Sequence, residues 1–247
     1  MLFRSELAEN LDATERVCHI ELAAGTDARA ALVFTDPALS GLCAQSADRR
    51  RPVTLAGRPS VTDYVSAGAQ APVVQLRRDV RAFFQGNRFL LRPFVESICA
   101  AVETPSAVDL YAGVGLFGLA LAARGTHVTL VEGDPTSAAD LDVNAAALGG
   151  DVRTVHDSVE RYLSTATWPD PVTVVADPPR TGLSAEARGL LLDRRPRRVV
   201  YVSCDPATLA RDARPLFDAR SRLVTVRGFD LFPMTAHIES VVVFDRG

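Results

Sequence analysis

Between residues 105 and 247, short runs of β-branched apolar residues alternate with longer stretches whose apolar positions recur at helical spacing. The short runs predict strands over 107–111, 127–132, 152–156, 172–176, 197–202, 223–228 and 238–244. The longer stretches predict helices over 116–123, 135–148, 159–163 and 185–192 between the first five strands, and over 206–217 after the fifth. Such alternation is what a parallel sheet with crossover helices requires, an α/β architecture. The last two strands leave no room for a helix between them, so they should pair antiparallel at one edge of the sheet. Residues 1–81 read differently, with alternating segments at 19–22, 30–34 and 53–55 broken by Gly, Pro and Asp. They form a small β-rich region, joined through a helix over 87–102 to a second unit spanning 82–247.

Composition narrows the class without deciding the chemistry. With 47% apolar and 23% charged residues the chain is an ordinary globular protein, and it contains no apolar run of membrane-spanning length. Its first residues, Met1-Leu2-Phe3-Arg4, lack the basic start and apolar core of a signal peptide, so the expected compartment is the cytoplasm. Cys18, Cys43, Cys99 and Cys204 are far apart and form no C-x-x-C pair, which supports neither zinc nor a disulfide framework. All 27 basic residues are arginine. Despite a net charge of −3 they cluster, at Arg49-Arg50-Arg51, at Arg77-Arg78 with Arg81, and at Arg194-Arg195 with Arg197-Arg198. These clusters are either a local basic surface for phosphates or solvated loops and helix ends.

The candidate chemistry lies at the carboxyl ends of the predicted strands, where open α/β sheets bind ligands. After the first strand comes Asp109-Leu110-Tyr111-Ala112-Gly113-Val114-Gly115-Leu116-Phe117-Gly118, a G-x-G-x-x-G turn compatible with a dinucleotide or with S-adenosylmethionine. Asp109 favours the latter, since an anionic carboxylate suits a cationic methionine moiety and sits poorly beside a pyrophosphate. Glu132 ends the second strand, placed for ribose hydroxyls, and Asp157 follows the third, where an adenine-contacting residue would lie. The fourth strand runs into Asp177-Pro178-Pro179-Arg180-Thr181-Gly182, a rigid non-helical lip. Cys204 sits between the fifth strand and a helix, in Ser203-Cys204-Asp205-Pro206, where helix-end N–H groups should lower its pKa and favour thiolate.

Four stretches together resemble the RNA (uracil-C5)-methyltransferase family, which modifies tRNA and ribosomal RNA. They are Phe84-Gln85-Gly86-Asn87, the Asp177 lip, Ser203-Cys204-Asp205-Pro206-Ala207-Thr208 with Arg211-Asp212, and Asp230-Leu231-Phe232-Pro233-Met234-Thr235-Ala236-His237-Ile238-Glu239. The resemblance covers about residues 80–244. It implies a class I methyltransferase (Rossmann-like) fold: a seven-stranded, mostly parallel sheet with an antiparallel edge strand. It also implies S-adenosylmethionine as cofactor, rRNA or tRNA as partner, Cys204 as nucleophile and Glu239 as general base. Gln85, Tyr111, Gly113, Gly115, Glu132, Asp157 and Asp177 become candidate cofactor residues. Phe84, Arg180, Phe232 and His237 become candidate substrate residues, with Phe83 a further stacking surface.

Chemistry explains why such residues are needed. Uracil C5 is too weakly nucleophilic to take a methyl unaided; thiolate addition at C6 makes C5 an enolate carbon, and a carboxylate must later remove the C5 proton so that the thiol can leave. Two departures from the family stand out. Asp205 replaces the usual Asn and should raise the pKa of Cys204. The N-terminal barrel and the cysteines that hold an iron–sulfur centre in many members are not found, so no such cluster and no other metal is expected. A non-catalytic RNA-binding relative, a methyltransferase acting on another base, and a NAD oxidoreductase remain as alternatives.

Overall fold

The computed structural model describes residues 18–22, 42–46, 53–56, 60–79 and 82–247. The segment at 30–34, Arg49-Arg50-Arg51 and Arg81 lie outside the described residues. Three strands, β1 (Cys18–Leu22), β2 (Leu42–Ser46) and β3 (Val53–Ala56), form an antiparallel sheet in that order. A separate hairpin pairs β4 (Ser60–Ser66) with β5 (Val73–Asp79), and buried residues at every second position mark a sheet with one covered face.

Helix α1 (Arg88–Ala101) then leads into a seven-stranded sheet. Its elements in chain order are β6 (Ser106–Leu110), α2 (Leu116–Ala122), β7 (His127–Glu132), α3 (Pro135–Leu148), β8 (Val152–His156), α4 (Val159–Thr165), β9 (Val172–Ala176), α5 (Ala185–Arg194), β10 (Arg198–Ser203), α6 (Pro206–Asp218), β11 (Arg222–Phe229) and β12 (Glu239–Asp245). The spatial order is β11-β12-β10-β9-β6-β7-β8, reversing between β6 and β9. That switch opens a crevice at the strands' carboxyl ends. Strands β11 and β12 pair antiparallel at the edge, as their short connection requires, and β12, the reversed strand, lies one place in, against β10.

Local sequence explains the helix starts. Asn87, Asp134, Ser158, Ser184 and Asp205 each accept backbone N–H groups of the first turn, and Pro135 and Pro206 occupy first-turn positions where a missing N–H costs nothing. The sheet is covered on both faces. Phe94, Ile98, Leu119 and Leu130 lie in one core with α1 and α2, while Leu163, Leu191, Tyr201 and Phe244 lie in the other with α4 and α5. Every residue of β9 and of β12 is buried, the pattern of a doubly covered strand.

The hairpin is bolted to α3. Asp140 takes Arg77 Nη1 at 2.7 Å and the backbone N–H of Asp79, and buried Asn144 accepts from Arg77 N at 2.8 Å. The Asn144 amide also donates to the Arg77 and Val114 carbonyls, at 2.8 and 3.0 Å, so one side chain joins the hairpin to the glycine turn.

Candidate functional site

The residues after β6 turn sharply under a cleft of about 710 Å³. Tyr111, Gly113 and Gly115 all have positive φ (62°, 57° and 100°), which carries the chain out of the strand and into α2. Gly115 and Gly118 are also required by packing. A Cβ on Gly115 would lie 2.5 Å from Leu119 Cδ1, and one on Gly118 would lie 1.8 Å from Leu130 Cδ2, in the floor of the core. Gly118→Ala is therefore expected to cost about 1–3 kcal/mol of stability, measured by urea unfolding, because neither the helix nor β7 can retreat without loosening the core. An unchanged midpoint would show that α2 stands further from the sheet.

Glu132, at the end of β7, accepts from Gly113 N at 2.7 Å and from Asp134 N at 2.6 Å. Two backbone donors fix its carboxylate at the cleft wall, with lone pairs left for hydroxyl groups of a ligand. Gln85 is buried in the same wall, and among the described residues its Oε1 has no hydrogen-bond partner, an acceptor prepared for a donor from outside the chain.

Asp109 does not face the ligand cleft as its motif position suggests. It is fully buried, absent from the cleft lining, and its Oδ2 accepts from Gly118 N at 2.8 Å, tying α2 to β6. Burial pushes its carboxyl up to about 7, so near neutral pH it is no fixed anion facing a ligand.

Across the cleft stand Asp177, Pro178, Pro179 and Arg180 of the lip, with Cys204, Phe232 and Glu239. The pairing of Ser203 with Ser240 in the β10–β12 ladder makes Cys204 and Glu239 the next opposed positions, on one face of the sheet. Behind the lip, Asp212 is a buried node. It accepts from Leu183 N (2.8 Å), Tyr201 Oη (2.6 Å), Arg188 Nη1 (2.9 Å) and Arg211 Nε (2.8 Å), which lock the lip to α6 and hold its carboxyl below the usual range. The Arg211-Asp212 pair that follows the cysteine thus supports the site from behind.

The electrostatics of the cysteine differ from the sequence expectation. Its pKa is raised, first by burial and then by Glu239 and Asp177, while Arg180 pulls it down. The helix end does not win, because Cys204 lies one residue before the cap and Asp205 takes the first-turn N–H of Thr208 at 2.7 Å. That same bond holds the Asp205 carboxyl below its ordinary range and turns it to the helix, so the carboxylates acting on the thiol are Glu239 and Asp177. Glu239 is only 2% exposed, and burial lifts it to about 7. Asp177 is pushed well above the usual carboxylate range by burial and by its neighbours Glu239 and Asp109.

Of the residues singled out in the sequence, Phe83, Phe84, Gln85, Tyr111, Gly113, Glu132, Asp177, Arg180, Cys204, Phe232 and Glu239 all line the cleft. Gly115 shapes the turn beneath it. Asp157 stands outside, paired with Arg161 at 3.2 Å, and exposed His237 meets the Phe232 ring edge-on at 6.3 Å without lining the cleft. Asp134 and Ser137, at the start of α3, line it as well, although their sequence signal is only that of a helix cap. Among the described residues there is no cluster of His, Cys, Asp or Glu suited to a metal ion, and no helix is long and apolar enough to cross a membrane.

The strand order, the glycine turn and the acid-Pro-Pro lip at the switch point define a class I methyltransferase fold. Residues 170–247 match the tRNA (Uracil-5-)-methyltransferase family model. The chain is 31% identical, over 97% of its length and 57% of the relative's, to the 23S rRNA (uracil(1939)-C(5))-methyltransferase RlmD of Shewanella amazonensis. An RNA methyltransferase of Aquifex aeolicus, itself uncharacterized, is 32% identical over 69% of this chain and 41% of its own. Among solved structures, the tRNA (uracil-54, C5)-methyltransferase of Pyrococcus abyssi, in complex with S-adenosyl-L-homocysteine, matches with a TM-score of 0.62 and 26% identity, covering 76% of this chain and 51% of that one. By these matches the chain is similar to the RNA (uracil-C5)-methyltransferases. It spans about half the length of the relatives it matches, from 41% to 57% in the curated pair.

Proposed function

We propose that residues 82–247, with the β4–β5 hairpin attached, form the catalytic unit of an enzyme that methylates uridine C5 in rRNA or tRNA, with S-adenosylmethionine as methyl donor. The observation that carries this reading is the placement of Cys204 and Glu239 by one strand register, side by side on the wall of a nucleoside-sized cleft. The cofactor end fits the donor: Gln85 offers an unpartnered buried acceptor and Glu132 offers oriented carboxylate lone pairs. When bound, S-adenosylmethionine supplies the electrophilic methyl that uracil C5 accepts.

The chain's own groups do the rest. The Cys204 thiolate forms a bond from Sγ to C6 of the uracil, and the C5–C6 π electrons move toward O4, leaving C5 nucleophilic. Arg180, which eases ionisation of the thiol, lies on the same lip and meets the approaching anionic nucleic acid. After methylation the Glu239 carboxylate takes the C5 proton, the C5–C6 double bond re-forms, and the Sγ–C6 bond breaks to return the thiolate. Because a stacked uridine cannot reach such a cleft, the base must leave its stack, and Phe83, Phe84 and Phe232 provide apolar faces to receive it.

The test is release of tritium from rRNA or tRNA carrying C5-tritiated uridine. Release that depends on S-adenosylmethionine is expected. Normal cofactor binding without any release from either RNA would sink the proposal, and methyl transfer to another base would redirect it.

A further inference from the structure

The hairpin before the methyltransferase unit backs the wall of the cleft through one side chain. Arg78, on β5, is buried, and its Nε bonds Asp63 Oδ2 on β4 at 2.7 Å. Its guanidinium carbon lies 4.7 Å from the centroid of the Phe84 ring. Phe84 is half-buried and lines the cleft beside Gln85, so one of its faces is covered by a buried cation while the ring forms part of the ligand wall. A guanidinium is a flat plate, able to fix a ring in one orientation as a lysine ammonium is not.

We infer that Arg78 is a positioning residue: clamped by Asp63, it sets the Phe84 ring as the platform that receives the uracil of a single-stranded RNA segment. The inference rests on the RNA reading above. It gives the hairpin a part in substrate recognition beyond covering α3. It also predicts which ligand feels the change. Phe84 stands on the wall with Phe83 and Phe232, so loss of the clamp should weaken RNA and spare a ligand held by Glu132 and the glycine turn.

Removing Arg78 alone would leave Asp63 buried without this partner and risk unfolding, so the variant removes both charges, Arg78→Met with Asp63→Asn. Anisotropy with a fluorescein-labelled, uridine-rich single-stranded RNA reads RNA affinity, and calorimetry reads the affinity for S-adenosylhomocysteine. The double variant is expected to bind the RNA about fivefold more weakly and the nucleoside within about twofold of the parent chain. Made in a Phe84→Leu background, the same two changes should weaken RNA no further, because the effect travels through the ring. Unchanged RNA affinity, a loss that persists undiminished without the Phe84 ring, or an equal loss for both ligands would overturn the inference. No RNA binding by the parent chain counts against both this inference and the proposed function. Intact coupling with no methyl transfer by the parent chain counts against the catalytic reading alone.

Discussion

Cys204→Ala should abolish tritium release from C5-tritiated RNA, by a thousandfold or more on the order expected for loss of a covalent nucleophile, and leave binding of S-adenosylhomocysteine intact. The side chain is only partly buried and no helix or strand depends on it, so the melting temperature should hold. The parent chain should form an adduct with 5-fluorouridine RNA that survives denaturing electrophoresis, since fluorine at C5 cannot leave as a proton; the variant should form none. Turnover retained by Cys204→Ala would exclude the covalent route and favour direct attack on another base. Because burial and Glu239 raise the thiol, the parent's kcat/KM should climb as pH rises. Removing the Arg180 guanidinium should shift that climb to higher pH.

The second large effect concerns Glu239. Glu239→Gln keeps the shape and loses the base, so a methylated adduct on Cys204 should accumulate with ordinary uridine RNA and turnover should fall about 10²- to 10⁴-fold. Mass spectrometry of the RNA-linked protein would detect the trapped species, and unimpaired turnover would remove Glu239 from the proton step. Stability gives an independent check. The folded carboxyl titrates near 7, against 4.5 for the free group, so between these values the folded state binds more protons than the unfolded one. Stability therefore falls as pH rises from about 4.5 to 7 and levels off above. Asp109, raised from 3.8 to about 7, adds a fall of the same sign. Glu239→Gln removes its share of the slope and should melt higher than the parent at pH 8.

Much of this was legible in the sequence, because strands β7, β8 and β9 and helix α3 are bounded by signals that act locally. Glycine, proline and cap residues stand at their ends, and their apolar runs need no partner to be recognised. The antiparallel ending was legible because the nine residues between β11 and β12, 230–238, cannot hold a crossover helix. The hairpin β4–β5 was not, because its exposed positions carry Tyr64, Gln75 and Arg77 and its inward charges, Asp63 and Arg78, look like surface until they are seen to pair with each other. The site divides in the same way. Motifs identified Cys204, Glu239 and the lip, but protonation depends on neighbours from distant strands. The cysteine was expected to be activated by the helix beside it, whereas its own burial and then the carboxyl brought alongside by β12 act more strongly. Asp109 had a motif position but turns inward to hold α2, a direction that only the packed core decides.

The burial of β12 on both faces carries one more consequence. Val241, Val242 and Val243 are nearly interchangeable to the core, so a slip of one residue along β10 would bury similar side chains at little cost and yet turn Glu239 to the opposite layer. Apolar packing alone leaves this alignment weakly specified. Asp245 is different: paired with Arg198 at 2.6 Å and with Arg222 at 3.2 Å, it pins the far end of the strand to partners on both sides. Arg198 opposes Asp245 five pairs before Ser203 opposes Ser240, so this ion triad is a remote vernier. Set about 20 Å from the chemistry, it keeps the base in line with the thiol.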